Sequence, residues 1–260
     1  KVIFCGNNPD FLDKKLTALS NKSNGSNAFR IPSLIRSGKT LIAAIDAQSC
    51  GADWGYIEIA IRRSEDGGET WSDIEIIAAP PARKTMLSDE CYASAFYIDP
   101  CMAIAPNGDI ILLADFYPEC KGLHKRSILD KKKAPYALYN KELRPTLYDR
   151  DGNFYVIDKS RNVLDHNFNT TGLTAKYETG ELFKGDEYLG NIFLNGKSPS
   201  NINEAGVKTT FGAPLKAPKR NYLFLFKSSD NGKTWSEPKD ITGQVLIKAD
   251  GTFLGVAPGV

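Results

Sequence analysis

The strongest constraint on the fold is a turn written twice. Ser64-Glu65-Asp66-Gly67-Gly68-Glu69-Thr70-Trp71 and Ser228-Ser229-Asp230-Asn231-Gly232-Lys233-Thr234-Trp235 both read S-x-D-x-G-x-T-W. The pattern has a physical meaning. Ser and Asp side chains bond to backbone groups inside a tight turn, and glycine supplies the positive φ that other residues resist. Thr and Trp then open the outgoing strand, with the indole pinning the turn to the sheet. Aspartates used in this way build turns and touch no substrate. A repeated turn also implies a repeated unit.

The flanking sequence has the two-residue period of strands. SLIRSGKTLIAAI at 33–45 is two apolar runs about Ser37-Gly38-Lys39-Thr40, a hairpin. YIEIAIRRSEDGGETWSDIEII at 56–77 is a second hairpin. CMAIAPNGDIILLADF at 101–116 turns at Asn107-Gly108, and NYLFLFKSSDNGKTWSEPKDI at 221–241 makes a fourth. Long helical patterns are nearly absent, so the fold class is all-β.

The two turns order these pieces. Residues 29–35, 41–46, 57–63 and 72–78 form one four-stranded antiparallel unit. Residues 101–105 and 109–116 are the first two strands of the next unit, and 221–227 and 236–242 its last two. Between them lies an insertion, about 118–219, with hairpin signals of its own in RDGNFYVID and FKGDEYLGNIF. A further unit begins at FLGVAPGV, residues 253–260. Four-stranded units with a repeated turn specify a β-propeller, which typically closes with four to eight blades. An unclosed propeller leaves strand edges and apolar blade faces in water. A chain with two units and a fraction is therefore expected to be part of a larger ring.

Composition excludes several function classes. The 33 basic and 31 acidic residues leave a net charge of +2, which gives no electrostatic footprint for nucleic acid. Five cysteines, an odd and scattered set without a C-x-x-C, make no disulfide scaffold. Only two histidines, His124 and His166, are present, so a zinc centre or a histidine-dependent triad has little support. No run of apolar residues is long enough to span a membrane as a helix. No signal peptide is visible, and a chain starting at Lys1 without methionine is expected to have lost an N-terminal segment.

Arg30 stands out because it lies between Phe29 and Ile31 at the head of an apolar strand. A charge there is costly unless it is paired, either with a structural carboxylate or with a ligand. Arg30-Ile31-Pro32 followed by the two turns resembles the sialidase (exo-α-neuraminidase) family. DWGYIEIAIRRSEDGGETW at 53–71, DFYPECKG at 115–122 and FLGVAPG at 253–259 resemble stretches of large bacterial secreted sialidases, which also carry an insertion within the propeller. The resemblance implies a six-bladed propeller of which this chain holds the first two to three blades. It further implies an enzyme without cofactor or metal, sialylated glycans as partners, and a secreted or cell-surface location.

The resemblance also implies roles. Arg30 is one of three arginines that grip the substrate carboxylate, using the planar fork of its guanidinium. Pro32 biases Ile31 toward extended geometry and so aims Arg30, and Ile31 packs against the sugar. Asp53, in a glycine-flanked loop beside Trp54, is the acid/base residue; a backbone-capping loop aspartate is the competing role. Asp99 in YIDP is a second pocket carboxylate reading a sugar hydroxyl, with a turn aspartate before proline as the alternative. Many relatives carry D-x-R where this chain has Asp46-Ala47-Gln48, so Gln48 replaces a cation with a group that donates and accepts. That departure bears on substrate range and product. The family's tyrosine nucleophile, its glutamate partner and two further arginines fall after FLGVAPG and so beyond Val260, and the remaining C-terminal part of the same domain is expected to supply them. Two other readings compete: an intramolecular trans-sialidase releasing an anhydro sugar, and a non-catalytic propeller that binds a glycan or a protein.

Overall fold

The computed structural model describes residues 26, 28–49, 53, 55–81, 94–119, 130, 132–195, 211–245 and 255–256. Among them no helix is long and apolar enough to cross a membrane.

The first unit is an antiparallel sheet of β1 (Ala28–Ser37), β2 (Thr40–Gln48), β3 (Ile57–Ser64) and β4 (Glu75–Ala78), in that order. The second combines β5 (Phe96–Ile104) and β6 (Ile110–Tyr117) with β14 (Tyr222–Ser228) and β15 (Lys239–Asp240), in the order β15-β14-β6-β5. Strands that are distant in the chain thus close one blade, as the repeated turn implies. Between them, β7 (Tyr136–Tyr139), β8 (Glu142–Tyr148), β9 (Phe154–Ile157), β10 (Asn162–Leu164), β11 (Thr170–Lys176), β12 (Glu181–Lys184) and β13 (Glu187–Asn191) form a seven-stranded sheet. A single helical turn, α1 (Thr242–Val245), follows β15. It cuts short the strand expected to reach residue 242: Asp240 Oδ1 accepts the Thr242 amide at 2.9 Å and caps the turn.

Both repeated turns are built alike. Asp66 accepts the Thr70 amide at 2.9 Å and the Thr70 hydroxyl at 2.6 Å, and Asp230 makes the same pair of bonds with Thr234. The Gly68 and Gly232 amides donate to Ser64 Oγ and Ser228 Oγ. The outgoing strands start later than the tryptophans. Each unit makes one rung, Ser72 N to Arg63 O and Ser236 N to Lys227 O. The serine hydroxyls then accept the Arg63 and Lys227 amides in place of a backbone carbonyl, and the ladder resumes only at Glu75 and Lys239.

The first strands share another feature. β1 shifts register between Arg30 and Ser33, and β5 between Ile98 and Cys101. Each bulge contains a residue followed by proline, Ile31-Pro32 and Asp99-Pro100, where the missing proline N–H disturbs no ladder bond. Ile31 and Asp99 have φ of 58° and 60°. The expected extended geometry of Ile31 is therefore wrong: the extra residue of the bulge forces a left-handed turn. For a β-branched side chain this is strained by roughly 1–3 kcal/mol.

One apolar core joins the elements. Ile42, Ile59 and Ile61 from the first blade, Met102, Phe116 and Phe224 from the second, and Leu147, Val163 and Phe193 from the insertion belong to a single buried cluster. Phe116 contacts Phe193 edge-on at 4.9 Å between ring centres, so the insertion packs directly on a blade. Full burial of such a side chain contributes roughly 1.5–3 kcal/mol.

Candidate active site

The register of blade 1 brings the expected residues together. Residues 28–30, which open β1, pair with 46–48, which close β2, and the loop carrying Asp53 leaves from this same end. Asp53 Oδ1 accepts two bonds, from an Arg30 guanidinium nitrogen at 2.5 Å and from Gln48 Nε2 at 3.1 Å. Arg30 thus has a protein carboxylate, Asp53, as its partner, whereas the resemblance implies the carboxylate of a substrate over a structural ion pair. The Arg30 and Asp53 side chains are 46% and 31% exposed, and an open pair of this kind is worth only about 0–1 kcal/mol. A ligand carboxylate can compete for the guanidinium at little cost. Trp54 lies outside the described residues.

Asp99 lies in β5 at the bulge and not in a turn. Burial raises its carboxyl pKa, the negative charge of Asp53 adds to this, and Arg30 pulls it down. The group therefore lies within electrostatic reach of the Arg30–Asp53 pair, although no hydrogen bond links them. Ile31 is half-buried at the bulge beside Arg30.

Two residues of this region were missed. Asp46 is fully buried opposite Arg30, and its Oδ1 accepts the Asp99 amide at 3.1 Å. Burial raises its pKa well above the ordinary value, with Asp99 and Asp53 adding to the rise and the Asp99 amide and Arg30 opposing it. Its Oδ2 and Gln48 Oε1 are buried without a hydrogen-bond partner. Asp115 takes the same place in blade 2, opposite Ile98. Its carboxyl is pushed up to about 8 by burial, against the pull of the Val256 amide, and the negative charge of Asp99 adds to the rise. The signal was an acid inside an apolar run, in AAIDA and LLADF. Nothing in one strand says what such an acid faces.

Tyr56 donates to Glu58 at 3.0 Å, the one tyrosine–glutamate pair near Asp53 among the described residues. Its phenol is pushed upward, by burial first and then by Glu58, the reverse of what a nucleophile needs. Ile57, between them, belongs to the cluster of Phe96, Ile98 and Tyr117, so strand alternation turns Tyr56 and Glu58 to the opposite face.

Known proteins give a consistent picture. No family model matches the chain. The chain is 27% identical to an anhydrosialidase of Macrobdella decora over 270 aligned positions, which cover 90% of this chain and 34% of that protein. It thus spans about a third of the length of this curated relative. Among solved structures, a leech intramolecular trans-sialidase complexed with 2,7-anhydro-Neu5Ac aligns with a TM-score of 0.71 at 25% identity, over 90% of this chain and 38% of that one. The intramolecular trans-sialidase of Ruminococcus gnavus, in complex with oseltamivir carboxylate, aligns at 0.68 and 23% identity, over 91% and 52%. In fold and in sequence the chain is similar to part of these sialidases, and its blades are those of a β-propeller.

Proposed function

We propose that this chain carries the first part of a glycosidase active site that releases terminal α-linked sialic acid from glycoconjugates. The observation that carries the reading is the cluster of Arg30, Gln48 and Asp53 at one end of blade 1, with Arg30 held by no more than an exposed pair. Arg30 takes the substrate carboxylate in its bidentate fork. Asp53, released from that pair and protonated from solvent, gives that proton to the glycosidic oxygen as its bond to the anomeric carbon breaks and the tyrosine oxygen bonds to that carbon. Gln48, Asp99 and Ile31 read the sugar around that carbon. On this reading a nucleophile and further arginines have to join these groups, and the chain spans only 34% of its curated relative.

Two products are open to such a site. In hydrolysis, Asp53 takes a proton from a water whose oxygen bonds to the anomeric carbon as the bond from that carbon to the tyrosine oxygen breaks. In intramolecular transfer it takes the proton from the sugar's own O7 hydroxyl, whose oxygen displaces the tyrosine oxygen from that carbon and closes a 2,7-anhydro ring. The likeness to a protein named anhydrosialidase favours the second route.

The test is turnover of 3′-sialyllactose by the complete protein and by its Asp53→Ala variant, with NMR of the released sugar. The expected result is at least a 100-fold loss of kcat in the variant and a 2,7-anhydro product from the parent. A variant with near-parental turnover would sink the acid/base role. A free reducing sugar as first product would select hydrolysis.

A further inference from the structure

Asp46 and Asp115 occupy one register position in successive blades, on the second strand, opposite the residue that precedes the bulge. They are 0% and 1% exposed. A carboxyl buried in a sheet without a partner costs several kcal/mol when charged, so its recurrence needs a reason within the blade plan. Both reach the next length of chain. Asp46 Oδ1 accepts the Asp99 amide at 3.1 Å, and Asp115 Oδ1 accepts the Val256 amide at 3.3 Å. The first of these bonds spans 53 residues and the second 141.

The amide that Asp46 holds belongs to the left-handed residue of the β5 bulge, where the ladder with β6 is interrupted. A buried amide without a ladder acceptor has to find another. A non-glycine residue at φ of 60° persists only where its surroundings impose it. Arg30, Gln48 and Asp53 are carried by blade 1, whereas Asp99 is carried by blade 2. The relative placement of these groups therefore depends on what ties the start of β5 to blade 1, and the Asp46–Asp99 bond is such a tie.

We propose that Asp46 is a positioning residue whose carboxyl clasps the Asp99 amide across the seam between the blades and so sets the Asp99 side chain against Arg30 and Asp53. Asp115 makes a like bond with the Val256 amide. The proposal rests on the reading of Asp99 as part of the sialic acid pocket. It adds the device that fixes this carboxylate.

The test uses the complete protein and its Asp46→Asn, Asp46→Ala, Asp99→Ala and doubly substituted Asp46→Ala/Asp99→Ala variants. Two readouts are followed: KM and kcat on 3′-sialyllactose, and hydrogen exchange at the Asp99 amide. Asparagine keeps an acceptor at Oδ1, so Asp46→Asn is expected to stay within about threefold of the parent in both. Asp46→Ala is expected to raise KM by about tenfold and to speed Asp99 exchange by a similar factor. Because it acts through Asp99, it should add little to Asp99→Ala. A purely structural Asp46 would give independent, multiplying effects of the two alanines, or an asparagine variant as damaged as the alanine one, and either result overturns the proposal. If Asp46→Ala does not fold, Asp46→Val, which fills the space without an acceptor, takes its place. If the parent turns over no sialoside, the proposed function fails and the exchange at Asp99 alone decides the clasp.

Discussion

Asp115 gives a clear pH signature. Its carboxyl, pushed up to about 8 by burial, binds a proton more tightly in the folded chain than when unfolded, where the usual value is about 3.9. Folding takes up a proton between those two values. The stability supplied by the neutral carboxyl is whole below about pH 4 and fades as pH rises toward 8. Asp46 and Asp99 shift in the same direction, also because of burial, and add to the slope. The urea midpoint of the chain is therefore expected to fall from pH 5 to pH 8. Asp115→Asn, neutral throughout, should flatten that fall in part, and parallel slopes for parent and variant would contradict the assignment. Asp66 and Asp230 behave in the opposite way: hydrogen bonds from Thr70 and Thr234 hold their carboxyls far below the usual range. They stay charged across this window and contribute no slope to it. The two kinds of aspartate differ by what surrounds them. The turn aspartates accept several bonds within four residues of chain, so their role was legible in the sequence. The strand aspartates meet partners 53 and 141 residues away, so theirs was not.

The repeated turn is used differently in the two blades. Gly68 and Gly232 hold equivalent positions at φ of 94° and 78°. A Cβ at Gly68 would meet Leu41 at an ordinary 3.6 Å, whereas at Gly232 it would crowd Ile42 and Arg63 of the first blade at 3.3 Å. Ser37 Oγ also donates to Asn231 Oδ1 at 2.8 Å, so the second turn is docked on blade 1. Both alanine substitutions should destabilise by about 1 kcal/mol through the backbone alone. Gly232→Ala should be the worse by a further ~1 kcal/mol, and equal urea midpoints for the two would refute the docking argument. The inserted sheet has its own tether. Asp240 stands on β15 at the register position that Ile76 fills in blade 1, and it accepts the Tyr136 hydroxyl at 2.5 Å. Tyr136→Phe leaves that half-buried carboxyl short of a donor and should cost about 1–3 kcal/mol in urea unfolding. Strands, hairpins and blade order could be read beforehand because a two-residue period and an Asn-Gly or Ser-Gly turn are local signals. The left-handed Ile31 and Asp99, the late start of β4 and β15, and the Tyr136–Asp240 contact could not. Each arises from register or packing between segments, which no single segment encodes.

For the molecule as a whole, the two blades differ in what covers them. Leu34 on β1 and Met102 on β5 are register equivalents, four residues beyond Arg30 and Ile98 respectively. Met102 is 2% exposed because its face of blade 2 packs on blade 1, whereas Leu34 is 59% exposed. In a closed ring of blades the face of β1 meets the last blade just as β5 meets the first, and on the proposed reading the missing catalytic groups lie in the part of the ring that follows. The two leucine-like positions then report on closure. In residues 1–260 alone, Leu34→Ala should stay within about 0.5 kcal/mol of the parent, as an exposed position does. Met102→Ala should cost about 2–5 kcal/mol, as a cavity in a core does. In the complete protein Leu34→Ala should become costly too, by about 2 kcal/mol, because the closing blade buries that side chain. On the proposed reading the same closure would bring the nucleophile and the other arginines to Arg30 and Asp53. Residues 1–260 should therefore release no sugar from 3′-sialyllactose under conditions where the complete protein does. Turnover by the short chain, or a Leu34→Ala variant of the complete protein with parental stability, would contradict the closed ring.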